Sequence, residues 1–130
     1  MAKILVIDDE AAIRRYFERL LTSLHYEVVL AKDGDEGCEL ARDPSVSLVI
    51  SDLTMNSALS DVMLIRTLRD IRPDVPIVVI TGYPTSDRMD ECLEIGVSDF
   101  LTKPFELSFV SAVMQRLLSP SQPSAGDASA

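Results

Sequence analysis

The segment Ser47-Leu48-Val49-Ile50-Ser51-Asp52 constrains this chain more than any other. Val46 and Leu48 to Ile50 are apolar and mostly β-branched; the run is too short for a helix and ends abruptly in an acid. Such a run reads as a central parallel strand, covered on both faces and open to solvent only at its carboxyl end. Ligands of open α/β sheets sit outside those carboxyl ends. A second run, Lys3-Ile4-Leu5-Val6-Ile7, has the same form and ends in Asp8-Asp9. Side by side, the two strands would bring Asp8, Asp9 and Asp52 to one crevice. Like charges held that close repel, so the arrangement predicts a cation between them.

The remaining periodicity alternates helix and strand. Ile13, Phe17, Leu20, Leu21 and Leu24 form one helical face over Glu10 to Leu24, with Asp9 placed to cap it. His25 then falls where a left-handed residue is often needed, a conformation His tolerates. A strand over Tyr26 to Leu30, a turn at Ala31 to Gly34 and a helix from Asp35 to Arg42 lead to the strand ending at Asp52. Val62 to Ile71 reads as a helix closed by Arg72-Pro73, and Ile77 to Ile80 as a strand ending at Thr81-Gly82. A helix from about Thr85 to Ile95 stops at Gly96, and Val97 to Leu101 forms a fifth strand before Thr102-Lys103-Pro104. The last helix spans Phe105 to about Leu118, with Phe109, Val113 and Leu117 on its core face. Leu107, Val110, Met114 and Leu118 make a second stripe, which reads either as a dimer or partner surface or as burial at the end of the helix. Five strands alternating with five helices predict a three-layer α/β sandwich, a doubly wound parallel sheet with right-handed crossovers.

Composition supports one domain. The chain has 130 residues, 47% of them hydrophobic, enough for a single core. Residues 1–118 carry the pattern; 119–130, rich in Ser, Pro and Ala, are expected to be a flexible tail or linker. With 21 acidic against 12 basic residues, the net charge of −9 argues against direct nucleic-acid binding. Cys38 and Cys92 have no ligand-like spacing and read as buried thiols. No run suits a signal peptide or a membrane span, so a cytoplasmic location is expected.

Asp8-Asp9, Asp52, Thr81 and Lys103 thus all stand at carboxyl ends of strands. Together with Ile4 to Glu10, Val49 to Leu53, Val79 to Gly82 and Gly96 to Phe105, they resemble the receiver domain of two-component response regulators. The resemblance covers about residues 2–118 and implies the flavodoxin-like strand order 2-1-3-4-5, for which a receiver serves as an established example. It implies that Asp52 is a phosphoacceptor whose carboxylate attacks phosphorus. Asp8, Asp9, Asp52 and the backbone carbonyl of Thr54 would hold Mg2+, a hard ion that takes oxygen ligands. Lys103 would set a point charge against the phosphoryl oxygens, and pair with the carboxylates without one. Pro104 would follow a cis peptide; Thr81 and Phe100 would form the switch pair.

The implied function is a signalling switch. A sensor histidine kinase or histidine phosphotransfer protein would phosphorylate Asp52, and the surface of the fourth helix, fifth strand and last helix would change for a downstream partner or a homodimer. The chain would catalyse only its own phosphorylation and dephosphorylation. Three alternatives compete. Aspartate-nucleophile phosphatases need an acid two residues after the nucleophile, where this chain has Thr54. A flavin carrier would have its phosphate repelled by the three carboxylates. A degenerate receiver acting only as a docking module would lack part of the acidic set, Thr81 or Lys103. The loop from Leu53 to Asp61 departs from the family, which commonly has Pro at the position of Asn56 and Gly near Ser60 or Asp61. That loop is expected to be less fixed. Tyr83 is expected to slow loss of the phosphoryl group.

Overall fold

The computed structural model describes residues 2–55, 59, 61–82 and 84–118. Its elements run β1 (Lys3–Ile7), α1 (Ala11–Ser23), β2 (Glu27–Ala31), α2 (Gly34–Ala41), β3 (Val46–Asp52), α3 (Asp61–Ile71), β4 (Ile77–Thr81), α4 (Ser86–Ile95), β5 (Asp99–Thr102) and α5 (Leu107–Leu118). The strands form one parallel sheet in the order β2-β1-β3-β4-β5. The expected tail at 119–130, loop positions 56–58 and 60, and Tyr83 lie outside the described residues.

Period-two alternation splits the central strands between two cores. Leu5, Ile7, Val49, Ile77 and Val79 face one cluster, covered by Leu64, Ile65 and Leu68 of α3 and Cys92 of α4. Ile4, Val6, Leu48, Ile50, Val78 and Ile80 face the other, covered by Phe17 and Leu21 of α1 and Val110 and Met114 of α5. Burial on both faces is why these strands read as continuous apolar runs rather than alternating ones. Both cysteines are free and buried, as expected. Among the described residues no helix is long and apolar enough to cross a membrane.

Helix ends show where local signals hold. His25 takes φ 69° and Gly96 takes φ 104°, each just beyond a helix. Asp33 caps α2, its side chain accepting the Glu36 amide at 2.8 Å. At α1 the N-cap is Glu10 rather than the expected Asp9, and the Glu10 side chain makes no capping bond. The Asp8 carboxylate takes over part of that role, accepting the Glu10 amide at 2.9 Å.

The two stripes of α5 are also assigned differently. Val110, Val113 and Met114 are buried, while Phe109 and Leu107 are 59% and 58% exposed. Leu117 and Leu118 are only partly buried. The i, i+3, i+4 set that faces the sheet therefore draws on both expected stripes, and Phe109 belongs to the outer surface.

Arg72, read from the sequence only as a helix stop, is a structural centre. Its buried guanidinium donates to the carbonyls of Ala41, Asp43 and Val46 at 2.8–3.0 Å, and to the Asp74 carboxylate at 3.1 Å. It ties the end of α3 to the α2–β3 turn, at the edge opposite the crevice.

Candidate functional site

Parallel pairing places the crevice. In the order β2-β1-β3-β4-β5, β3 is central, so Asp52 at its end lies between the ends of β1 and β4. Asp8 follows β1, Thr81 closes β4, and Lys103 follows β5. Backbone bonds lock this rim: Leu53 N donates to Ile80 O at 2.8 Å, and Lys103 N to Thr81 O at 2.9 Å. The Lys103-Pro104 peptide is cis. An open crevice of about 500 Å3 results, lined by Asp9, Glu10, Asp52, Thr54, Gly82 and Lys103.

Asp8 is fully buried and Asp52 is 3% exposed, whereas Asp9 is exposed. Oxygens of the three carboxylates lie within 4.8 Å of one another. Lys103 Nζ stands 3.5 Å from Asp52 Oδ2, 3.6 Å from Asp8 Oδ2 and 3.0 Å from Glu10 Oε1. Burial and the neighbouring Asp8 charge push the Asp52 carboxyl up to about 6, against the pull of Lys103 and the Thr54 amide. Burial also raises Asp8, opposed by its bond from the Glu10 amide and by Lys103. Burial by itself would lower Lys103; its bond to Glu10 and the Asp52 and Asp8 charges more than reverse that, so its pKa is raised.

The donor set fits a hard cation. Asp8 Oδ2 is a buried carboxylate oxygen with no hydrogen-bond partner among the described residues, an arrangement that costs free energy unless something positive meets it. Lys103, at 3.6 Å, only partly meets that need. An all-oxygen set of three carboxylates could hold Mg2+ or a similar ion. Thr54 is exposed beside this set, and its amide donates to Asp52 Oδ1 at 3.3 Å.

The other sequence-derived positions sit at the rim. Thr81 is fully buried at the end of β4. Phe100 is half-buried and packs against the cluster on the α3 and α4 side of the sheet. Two further residues stand near the crevice. Glu10 holds the shortest contact to Lys103, and its place in the run Asp8-Asp9-Glu10 was a usable signal. Arg88 of α4 reaches Asp61 and Thr54 on the loop beyond Asp52, with no local pattern announcing it.

A family model described as "Response regulator receiver domain" matches residues 4–115. The chain is 38% identical over 117 residues to "Probable transcriptional regulator ycf27" of Porphyridium aerugineum, covering 89% of this chain and 48% of that protein. It is 35% identical over 124 residues to "Response regulator MprA" of Mycobacterium sp. (strain KMS), covering 95% of this chain and 54% of that one. It thus spans about half the length of these relatives. The Vibrio cholerae chemotaxis protein CheY4 superposes with a TM-score of 0.83 at 28% identity, over 91% of this chain and 99% of its own. A Burkholderia pseudomallei response regulator, solved with a phosphorylated aspartic acid, a calcium ion and citrate, gives 0.80 at 28% identity, over 92% of this chain and 68% of its own.

Proposed function

The chain belongs to the response regulator receiver domain family, and from that premise we propose that it is a phosphoryl-accepting switch with Asp52 as the acceptor. The observation that carries this reading is the position of Asp52: nearly buried at the end of the central strand, with the Lys103 ammonium 3.5 Å from it and 3.6 Å from the neighbouring Asp8 carboxylate. An Asp52 carboxylate oxygen attacks phosphorus of a phosphohistidine. A P–O bond forms, the P–N bond breaks, and the imidazole leaves with a proton drawn from solvent. The donor is a sensor histidine kinase or a histidine phosphotransfer protein.

Asp8, Asp9 and Asp52, with the Thr54 carbonyl, would hold Mg2+, which when bound offsets repulsion between carboxylate and phosphoryl group. Lys103 sets its charge against the phosphoryl oxygens, leaving Glu10 and Asp8 to do so. The similar Burkholderia pseudomallei structure, with its phosphorylated aspartic acid and calcium ion, supports the same chemistry here. Thr81 and Phe100 carry the change outward: the Thr81 hydroxyl turns toward the phosphoryl group and Phe100 follows it inward. Phe100 lacks a hydroxyl to hold an outward rotamer, so its inward state is weakly opposed. A rotamer survey finding Phe100 outward in both states would reject that step.

The surface of α4, β5 and α5 then presents the signal to a downstream protein or to a second copy. On this reading the chain turns over no external substrate, works in the cytoplasm and makes no direct nucleic-acid contact. The test is intact mass after incubation with acetyl phosphate, with and without Mg2+, on wild type and Asp52→Asn. One phosphoryl adduct needing both Mg2+ and Asp52 supports the switch. No adduct, with no Mg2+ binding, leaves a docking module.

A further inference from the structure

The loop after Asp52 has neither a Pro to fix its backbone nor a Gly to take a left-handed turn without strain, yet it reaches α3 through a left-handed residue. Asp61 takes φ 62°, a conformation in which Asp is tolerated but not at ease. Its amide donates to Leu53 O at 2.8 Å, and its Oδ1 accepts the Val62 amide at 2.8 Å. Its Oδ2 meets Arg88 Nη2 at 2.6 Å, with both side chains more than half buried. The second guanidinium nitrogen, Nη1, donates to Thr54 Oγ1 at 3.3 Å. Thr54 in turn donates its amide to Asp52 Oδ1. One side chain therefore grips both ends of the loop.

Arg88 sits in the first turn of α4, where the helix dipole disfavours a cation. Helix stability does not explain an arginine there. Its two-pronged geometry does, because a planar guanidinium can bond two acceptors at fixed spacing where an ammonium serves as a single point charge.

We propose that Arg88 is a positioning residue for the Asp52 crevice: from α4 it holds Asp61 in its left-handed conformation and Thr54 beside Asp52, so that the loop's geometry depends on the placement of α4. The proposal deepens the switch reading and rests on it only for the loop's part in phosphoryl transfer. It makes α4 and the crevice partners in one equilibrium, since whatever moves α4 also loosens the loop, and the reverse holds by linkage.

The test is amide hydrogen exchange in the full chain without metal or phosphodonor. Arg88→Ala should speed exchange at Thr54, Asp61 and Val62 by several-fold to about tenfold, leaving Leu5, Val49 and Ile50 unchanged. Arg88→Lys should restore protection at Asp61 and Val62 but not at Thr54, a split that loss of helix stability alone would not produce. In an Asp61→Gly background the effect of Arg88→Ala at positions 61 and 62 should vanish. Unchanged exchange in Arg88→Ala, a uniform rise that includes the strands, or a full effect persisting with Asp61→Gly would each overturn the clamp. Phosphorylation by acetyl phosphate, run in parallel, should slow several-fold in Arg88→Ala. If wild type takes no phosphoryl group, the switch reading fails, while the exchange data still decide the clamp.

Discussion

Lys103 Nζ lies 3.0 Å from Glu10 Oε1 and 3.5 Å from Asp52 Oδ2, nearer to the exposed acid than to the buried one. A single ammonium is thus shared between carboxylates that it cannot neutralise together. Burial raises both Asp52 and Asp8, and the shared ammonium offsets only part of that rise. That imbalance has measurable consequences.

The first concerns stability in the absence of metal. The Asp52 carboxyl stands at about 6 in the folded chain, against about 4 for an unfolded carboxylate. The folded state therefore binds the extra proton. Its stabilising effect is fully present below pH ~4 and is lost as pH rises through ~6, a change of up to about 3 kcal/mol. Asp52→Asn imitates the protonated form, so in EDTA it should exceed wild type in stability at pH 7. The gap should close as pH falls toward 4. Urea unfolding across that range measures it; a constant gap would contradict the assignment.

Metal should act in the opposite sense. A cation that meets Asp8 Oδ2 and its neighbours binds the folded state alone, so Mg2+ at a hundredfold excess over its Kd should stabilise the chain by about 2.7 kcal/mol. Asp8→Asn should lose most of that increment. Thermal melts with and without Mg2+ check both statements.

Arg72 is expected to matter for stability and not for the crevice. Arg72→Met would leave the Ala41, Asp43 and Val46 carbonyls without their shared donor, at a cost on the order of 3 kcal/mol. Arg72→Lys, with one point charge for several acceptors, should recover only part. The acetyl phosphate reaction of the folded fraction should be unaltered in either variant. A milder loss on denaturation would mean that water replaces the guanidinium.

Gly34 should prove sensitive for a different reason. A Cβ there would overlap the carbonyl oxygen of Leu59, a backbone atom in the loop that precedes α3. Gly34→Ala must displace that loop or α2, costing about 1–3 kcal/mol. Chemical shifts at Leu59 and Asp61 should move in this variant, while those of β4 stay in place. An Ala variant as stable as wild type, with unmoved shifts, would refute the close approach.

Much of the fold was legible in the sequence because it is encoded over short distances. Runs such as Val79-Ile80 and Leu48-Val49-Ile50 announce doubly covered strands, and the residue that ends each run falls at a carboxyl edge whatever the helices do. Asp8, Asp52, Thr81 and Lys103 are therefore grouped by sequence alone, and Gly96 and His25 fall beyond helix ends by backbone preference. Tertiary structure decided what depends on a partner distant in the chain. Which residues of α5 are core was set by how that helix sits on the sheet: Val110, Val113 and Met114 join the cluster that holds Val78 and Ile80, and Phe109 is left outside. Helix α1 is capped at Glu10 and not at Asp9, and Asp8, turned inward, accepts the Glu10 amide. Arg72 and Arg88 look like ordinary surface cations in one dimension. Their acceptors lie up to 31 and 34 residues away, and a guanidinium becomes a structural element only once folding has brought those acceptors within reach.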